Sequence, residues 1–72
     1  MERFGEKLRV LRQRRGLSLR KLAAEIGVTN GHIAAIESGL HSPSIDLVLR
    51  ISIFFNVSLD QLMRDDRELR LR

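Results

Sequence analysis

The sequence has no cysteine, tryptophan or tyrosine, one proline and three phenylalanines in 72 residues. Without cysteine there is neither a disulfide framework nor a thiolate metal site, which fits a reducing, cytoplasmic setting. No apolar run approaches the ~18 residues of a membrane span or the shorter block of a signal peptide, so no membrane association is expected. So few aromatic residues, with apolar residues at helical rather than alternating spacing, argue against a sheet. An all-α domain is expected, with one small core, because a chain of this length supports no more.

What is present is charge, unevenly placed. Residues 1–22 carry eight basic side chains (Arg3, Lys7, Arg9, Arg12, Arg14, Arg15, Arg20 and Lys21) against Glu2 and Glu6, a net of six positive charges. The whole chain sums to +4, so the remaining residues are net −2. Such asymmetry points to a polyanionic partner on one side of the molecule.

Five short helices are predicted. The first runs from about Glu2 to Arg15, with Phe4, Leu8 and Leu11 inward, and stops at Gly16. Ser18 caps a second helix to about Ile26, with Leu22, Ala23 and Ile26 inward. Thr29 caps a third, with Ile33 and Ile36 inward. Ser44 starts a fourth, ending near Phe55, and Ser58 with Gln61 has the form of a capping box for a fifth. The predicted domain covers 1–64; residues 65–72, "DDRELRLR", are a charged tail that extends the last helix or frays.

The stretch "LAAEIGVTNGHIAAIESG" (Leu22–Gly39) carries the most specific pattern. Two helices crossing steeply need a small residue at the contact, which Ala23 supplies. Gly27 makes the tight turn, and Val28, Ile33 and Ile36 fill the angle. These are the demands of a helix-turn-helix.

With "LRVLRQRRGLS" (Leu8–Ser18), "SPSIDLVLRI" (Ser42–Ile51) and "NVSLDQLM" (Asn56–Met63), the chain resembles the Cro/repressor-like helix-turn-helix regulators, also called the xenobiotic-response-element type. The resemblance implies a lambda-repressor-like, five-helix DNA-binding domain. Its third helix would enter the major groove, usually as a two-fold dimer on a palindromic operator. It also implies that Arg12 on helix one pairs with Glu37 at the end of helix three. A cation there suits a carboxylate that opposes the helix dipole. Two departures stand out: Leu19 occupies the place where the family commonly has glutamine, and Lys21 a place where an acidic capping partner is common.

The exposed face of helix three would carry Thr29, Asn30, Gly31, His32, Ala34, Ala35 and Ser38. Short side chains let a helix backbone approach the base edges in a groove about 12 Å wide. Asn30 is the leading base reader, since its amide matches adenine N6 and N7, and Ala35 suits a thymine methyl. Gly31 and His32 complete the expected base-contact set. Expected phosphate contacts are Arg14, Arg15, Arg20, Lys21, Thr29, Ser38, His41 and the backbone of Leu19.

Helix four is apolar nearly all round. Ile45, Val48, Ile51 and Phe55 form the predicted core stripe, with Leu47 and Phe54 to one side and Leu49 and Ile53 to the other. The surplus predicts a homodimer through Leu49, Ile53, Phe54, Leu59 and Met63. No cofactor and no metal is expected, and no nucleophile–base arrangement suggests an enzyme. The expected function is sequence-specific binding of double-stranded DNA by a small regulator, a repressor or a controller protein. The alternative is an antitoxin-like or scaffold module that uses the fold to bind a protein partner. RNA is disfavoured for want of an aromatic stacking surface.

Overall fold

The computed structural model describes residues 3–69, which form five helices joined by short turns. They are α1 (Phe4–Arg14), α2 (Leu19–Ile26), α3 (Asn30–Glu37), α4 (Ile45–Phe55) and α5 (Leu59–Met63). Glu2 and residues 70–72, included in the sequence-based expectations, lie outside the described residues.

Local sequence accounts for most helix ends. Ser18, Thr29, Ser44 and Ser58 each accept a hydrogen bond from the backbone N–H three residues on, at 3.0–3.2 Å. Each side chain thereby satisfies one of the donors that a helix start leaves unpaired. Asn56 ends α4 in the left-handed region with φ 55°, so Val57 N–H reaches back to the Ser52 carbonyl at 3.1 Å.

The helices close over one core that draws on all five: Phe4, Leu8 and Leu11; Leu22, Ala23 and Ile26; Ile33 and Ile36; Leu47, Val48, Ile51 and Phe55; Leu62. One expectation is overturned here. Ile45 was placed on the α4 core stripe, yet it is 65% exposed, while Leu47, assigned to the flank, is buried at 4%. The core arc is centred on Leu47, Ile51 and Phe55, spaced by four, which rotates Ile45 outward. Ile45, Leu49 and Ile53 share the opposite spacing-by-four stripe, and all three are exposed.

Residues 64–69 neither extend α5 nor fray, as the tail was expected to do; they fold back on α1. Arg3, the N-cap residue of α1, has no side-chain cap of its own, and its backbone N–H instead donates to Asp65 Oδ1 at 2.9 Å. Its guanidinium reaches the Asp65 carbonyl and both Glu68 oxygens at 2.9–3.1 Å. Hydrogen bonding with Arg3 is the main reason the Glu68 carboxyl lies below its ordinary value, although the pair is exposed. Lys7, counted above with the basic face, is buried: its ammonium donates to the carbonyls of Gln61, Arg64 and Arg67 at 2.6–2.7 Å. Those carbonyls include orphan acceptors from the end of α5, so this buried charge is solvated by backbone rather than by a carboxylate.

Candidate nucleic-acid interface

The corner between α2 and α3 is built from backbone economy. Gly27 ends α2 at φ 87°, a conformation a side chain would strain. Its N–H and that of Val28 both return to the Ala23 carbonyl, at 2.8 and 3.0 Å. Ala23 is buried where α2 meets α3, Val28 packs on the core edge, and Ile33 and Ile36 are fully inside. α3 is therefore anchored by its two isoleucines.

Its other side faces outward. Asn30, Gly31 and Ser38 are exposed, and His32, Ala34 and Ala35 are half-buried. Nothing lies within 4 Å of the position a Cβ would take on Gly31. The helix is closed by Gly39 at φ 83°, with Leu40 and His41 N–H both donating to the Ala35 carbonyl. Ser38 Oγ donates to that same carbonyl at 3.1 Å, which uses its one donor and leaves its oxygen able to accept.

Arg12 and Glu37 meet in a two-pronged pair: Arg12 Nε to Glu37 Oε2 at 2.7 Å and Nη2 to Oε1 at 3.0 Å. The Glu37 side chain is 2% exposed and also takes Arg9 Nε at 3.4 Å. Arg12 spends its remaining nitrogen on the Leu17 carbonyl, tying the α1–α2 turn into the same junction. The hydrogen bond to Glu37 is the leading reason that the Arg12 guanidinium is held more firmly charged than usual. Gly5 completes the junction: a Cβ there would strike the Ile36 carbonyl oxygen and lie 2.7 Å from that of Glu37. α1 thus crosses the end of α3 at backbone contact.

The expected phosphate-contact residues divide by environment. Arg14, Arg20 and Lys21 are exposed, with Lys21 3.9 Å from Glu25 on the same helix. Leu19 is half-buried and packs against the core, so its backbone N–H rather than its side chain is available. Arg15 sits over the rings of Phe54 and Phe55, 5.1 and 5.0 Å from their centroids, and so turns toward the end of α4. His41 is exposed and lies beside His32, with ring centroids 6.4 Å apart. Among the described residues no group of three His, Cys, Asp or Glu side chains could hold a metal.

Of the expected interface residues, Leu49, Ile53 and Leu59 are exposed, whereas Phe54 and Met63 are half-buried against the core. Ile45 adds to the exposed stripe, and Arg50 borders it, paired to Asp46 at 2.8 Å and capping α2 through the Ile26 carbonyl at 3.1 Å. Three contributors went unread in the sequence: Gly5, Lys7 and Arg50. Gly5 alone had a local signal, as a glycine inside a helical pattern, since its entropic cost asks for a close contact.

The family model described as helix-turn-helix matches residues 8–62. The HTH-type transcriptional regulator SlrR of Bacillus subtilis (strain 168) is 36% identical over 60 residues, covering 82% of this chain and 40% of that protein. The chain thus spans well under half of that relative's length. Among solved structures, the N-terminal DNA binding domain of SinR from Bacillus subtilis superposes with a TM-score of 0.83 at 29% identity, covering 94% of this chain and all of that one. The restriction-modification controller protein C.AhdI from Aeromonas hydrophila gives 0.77 at 27% identity, covering 86% and 94%. With a helix-turn-helix family model over most of its length and transcriptional regulators among its relatives, the chain belongs to the Cro/repressor-like helix-turn-helix family of transcription regulators.

Proposed function

We propose that this chain binds double-stranded DNA in a sequence-dependent manner as a small transcriptional regulator, with α3 lying in the major groove. The observation that carries this reading is a helix anchored on one side by two buried isoleucines and presenting short side chains on the other, beside exposed cations of α1 and α2. Asn30 would bond adenine, Ala35 would meet a thymine methyl, and Gly31 would let the backbone close in, with His32 at the start of the same face. Arg14, Arg20, Lys21, Thr29, Ser38, His41 and the Leu19 N–H would hold phosphates, and with so few long readers on α3 these contacts dominate the affinity. Arg15, seated on two aromatic rings, would contribute charge rather than a direct contact.

The chain would act as a two-fold dimer through the exposed stripe of Ile45, Leu49 and Ile53 with Leu59, setting two α3 helices about one DNA turn, ~34 Å, apart. Selection of bound sequences from a random DNA pool tests the reading, because it reports binding, half-site spacing and symmetry together. The expected outcome is a palindromic site whose affinity falls steeply with salt; a slope of log K on log [salt] near zero contradicts phosphate-dominated binding. Light scattering tests the dimer: a chain that stays monomeric at about 50 μM excludes a tight one and leaves the stripe to a different protein.

A further inference from the structure

The chain has only two histidines, and the fold brings their imidazoles together although they stand nine positions apart. His32 stands in the first turn of α3 and His41 in the loop that follows it, with ring centroids 6.4 Å apart and planes tilted by 35°. Neither ring makes a hydrogen bond or ion pair with any described residue. His41 edges a cavity of about 400 Å³ between the start of α1 and the α3–α4 loop, otherwise lined by Phe4, Gly5, Ile36, Gly39, Ser42 and Pro43, none ionisable.

The acids on α3 and on the helices packed against it are already paired. Glu6 of α1 lies 3.7 Å from Arg3, Glu25 of α2 lies 3.9 Å from Lys21, and Glu37 of α3 is held by Arg12 and Arg9. The cations on those helices are Lys7, Arg9, Arg12 and Arg14 on α1 and Arg20 and Lys21 on α2. Among the described residues no carboxylate pairs with either ring, which leaves both open to an anion from outside the domain.

We infer that His32 and His41 form a proton-linked phosphate clamp: a DNA backbone phosphate seats against both rings, which take up protons as it binds, so DNA affinity rises as pH falls. The inference rests on the DNA-binding reading above and concerns the regulation of that site. Histidine is the side chain whose charge changes between about pH 5 and 8. Two imidazolium ions this close repel, and a cation in the first turn of α3 is poorly matched to the helix dipole; a phosphate offsets both penalties and accepts charge-assisted hydrogen bonds. By linkage, protons and DNA then strengthen each other's binding by the same factor.

The test uses the full chain and a mixed-sequence DNA duplex of about 30 base pairs, since phosphate contacts do not depend on sequence. At constant ionic strength the Kd is expected to fall about tenfold between pH ~8 and pH ~6. Over the same interval the slope of log K on log [salt] steepens by about 0.9, the contribution of one newly neutralised phosphate. Replacing both rings, His32→Asn with His41→Gln, flattens both dependences; the α-amino group, which titrates near pH ~8, remains in that variant and is subtracted. Calorimetry of the unaltered chain in buffers of different ionisation heat counts the protons taken up, expected to average about 0.5 over this interval as a tenfold change across two pH units requires, without any mutation. Binding with a pH-independent Kd and no proton uptake overturns the clamp and leaves the DNA reading standing. A pH effect that persists in the double variant, or comes with no change in salt slope, also overturns it. No binding at any pH in low salt removes the DNA reading and the clamp with it.

Discussion

Gly5 and Gly31 are each the second residue of a helix, so alanine at either position makes the same change in the same local setting. In both, the reduced freedom of the unfolded chain should favour the variant by about 0.4–1 kcal/mol. The tertiary surroundings are opposite. Nothing lies within 4 Å of a Cβ on Gly31, whereas one on Gly5 meets the carbonyl oxygens of Ile36 and Glu37, the latter at 2.7 Å. Main-chain atoms cannot rotate aside, so α1 must lift from α3, disturbing the Arg12–Glu37 geometry. Overpacking of this kind costs about 1–3 kcal/mol, which outweighs the local gain. The two variants should therefore differ by about 2 kcal/mol, with Gly31→Ala above the parent and Gly5→Ala below it. For a domain of this size that is a gap in Tm of about 8–16 °C by thermal or urea unfolding followed by circular dichroism. Equal midpoints for the two would refute the close crossing of α1 over α3, and with it the placement of α3.

The remaining predictions concern charge. Arg12→Met strands a carboxylate that is 2% exposed, with only Arg9 at 3.4 Å in relief, and should cost about 3 kcal/mol; Arg12→Met with Glu37→Met should cost less, in a urea double-mutant cycle. Lys7→Met removes the ammonium shared by the carbonyls of Gln61, Arg64 and Arg67, so residues 64–69 should lose hydrogen-exchange protection and stability should fall by about 2–4 kcal/mol. The Glu68 carboxyl is lowered from its ordinary 4.5 chiefly by its hydrogen bond with Arg3. The stabilisation from that contact is therefore complete above the unfolded value and is lost as pH falls through the lower folded one. NMR of residues 64–69 should show the Arg3 contact loosening on acidification in the parent, whereas in Glu68→Gln it is weakened already at neutral pH; identical acid profiles would contradict the assignment.

The caps, the corner and the two isoleucines of α3 were legible because each is a short-range matter. Ser18, Thr29, Ser44 and Ser58 act three residues ahead, and Gly27 answers to its own backbone angle. α4 was harder: with apolar residues on nearly every side, periodicity alone left the core arc free to rotate, and only packing against α2 and α5 chose Leu47 over Ile45. Lys7 could not be told from the other basic residues of α1, because its partners are carbonyls more than 50 positions away.

Sequence by itself determined where most of the helices begin and end, that the second and third meet at an angle, and which residues a groove-reading helix would present. These follow from hydrogen-bond caps, glycine conformation and helical spacing, all local physics. Tertiary structure decided which charges stay free for a partner: it turned Arg15 onto two phenyl rings, sank Lys7 and Glu37, and set His32 beside His41. A side chain's charge is written in the sequence, but its partner and its distance from water exist only once the chain has folded.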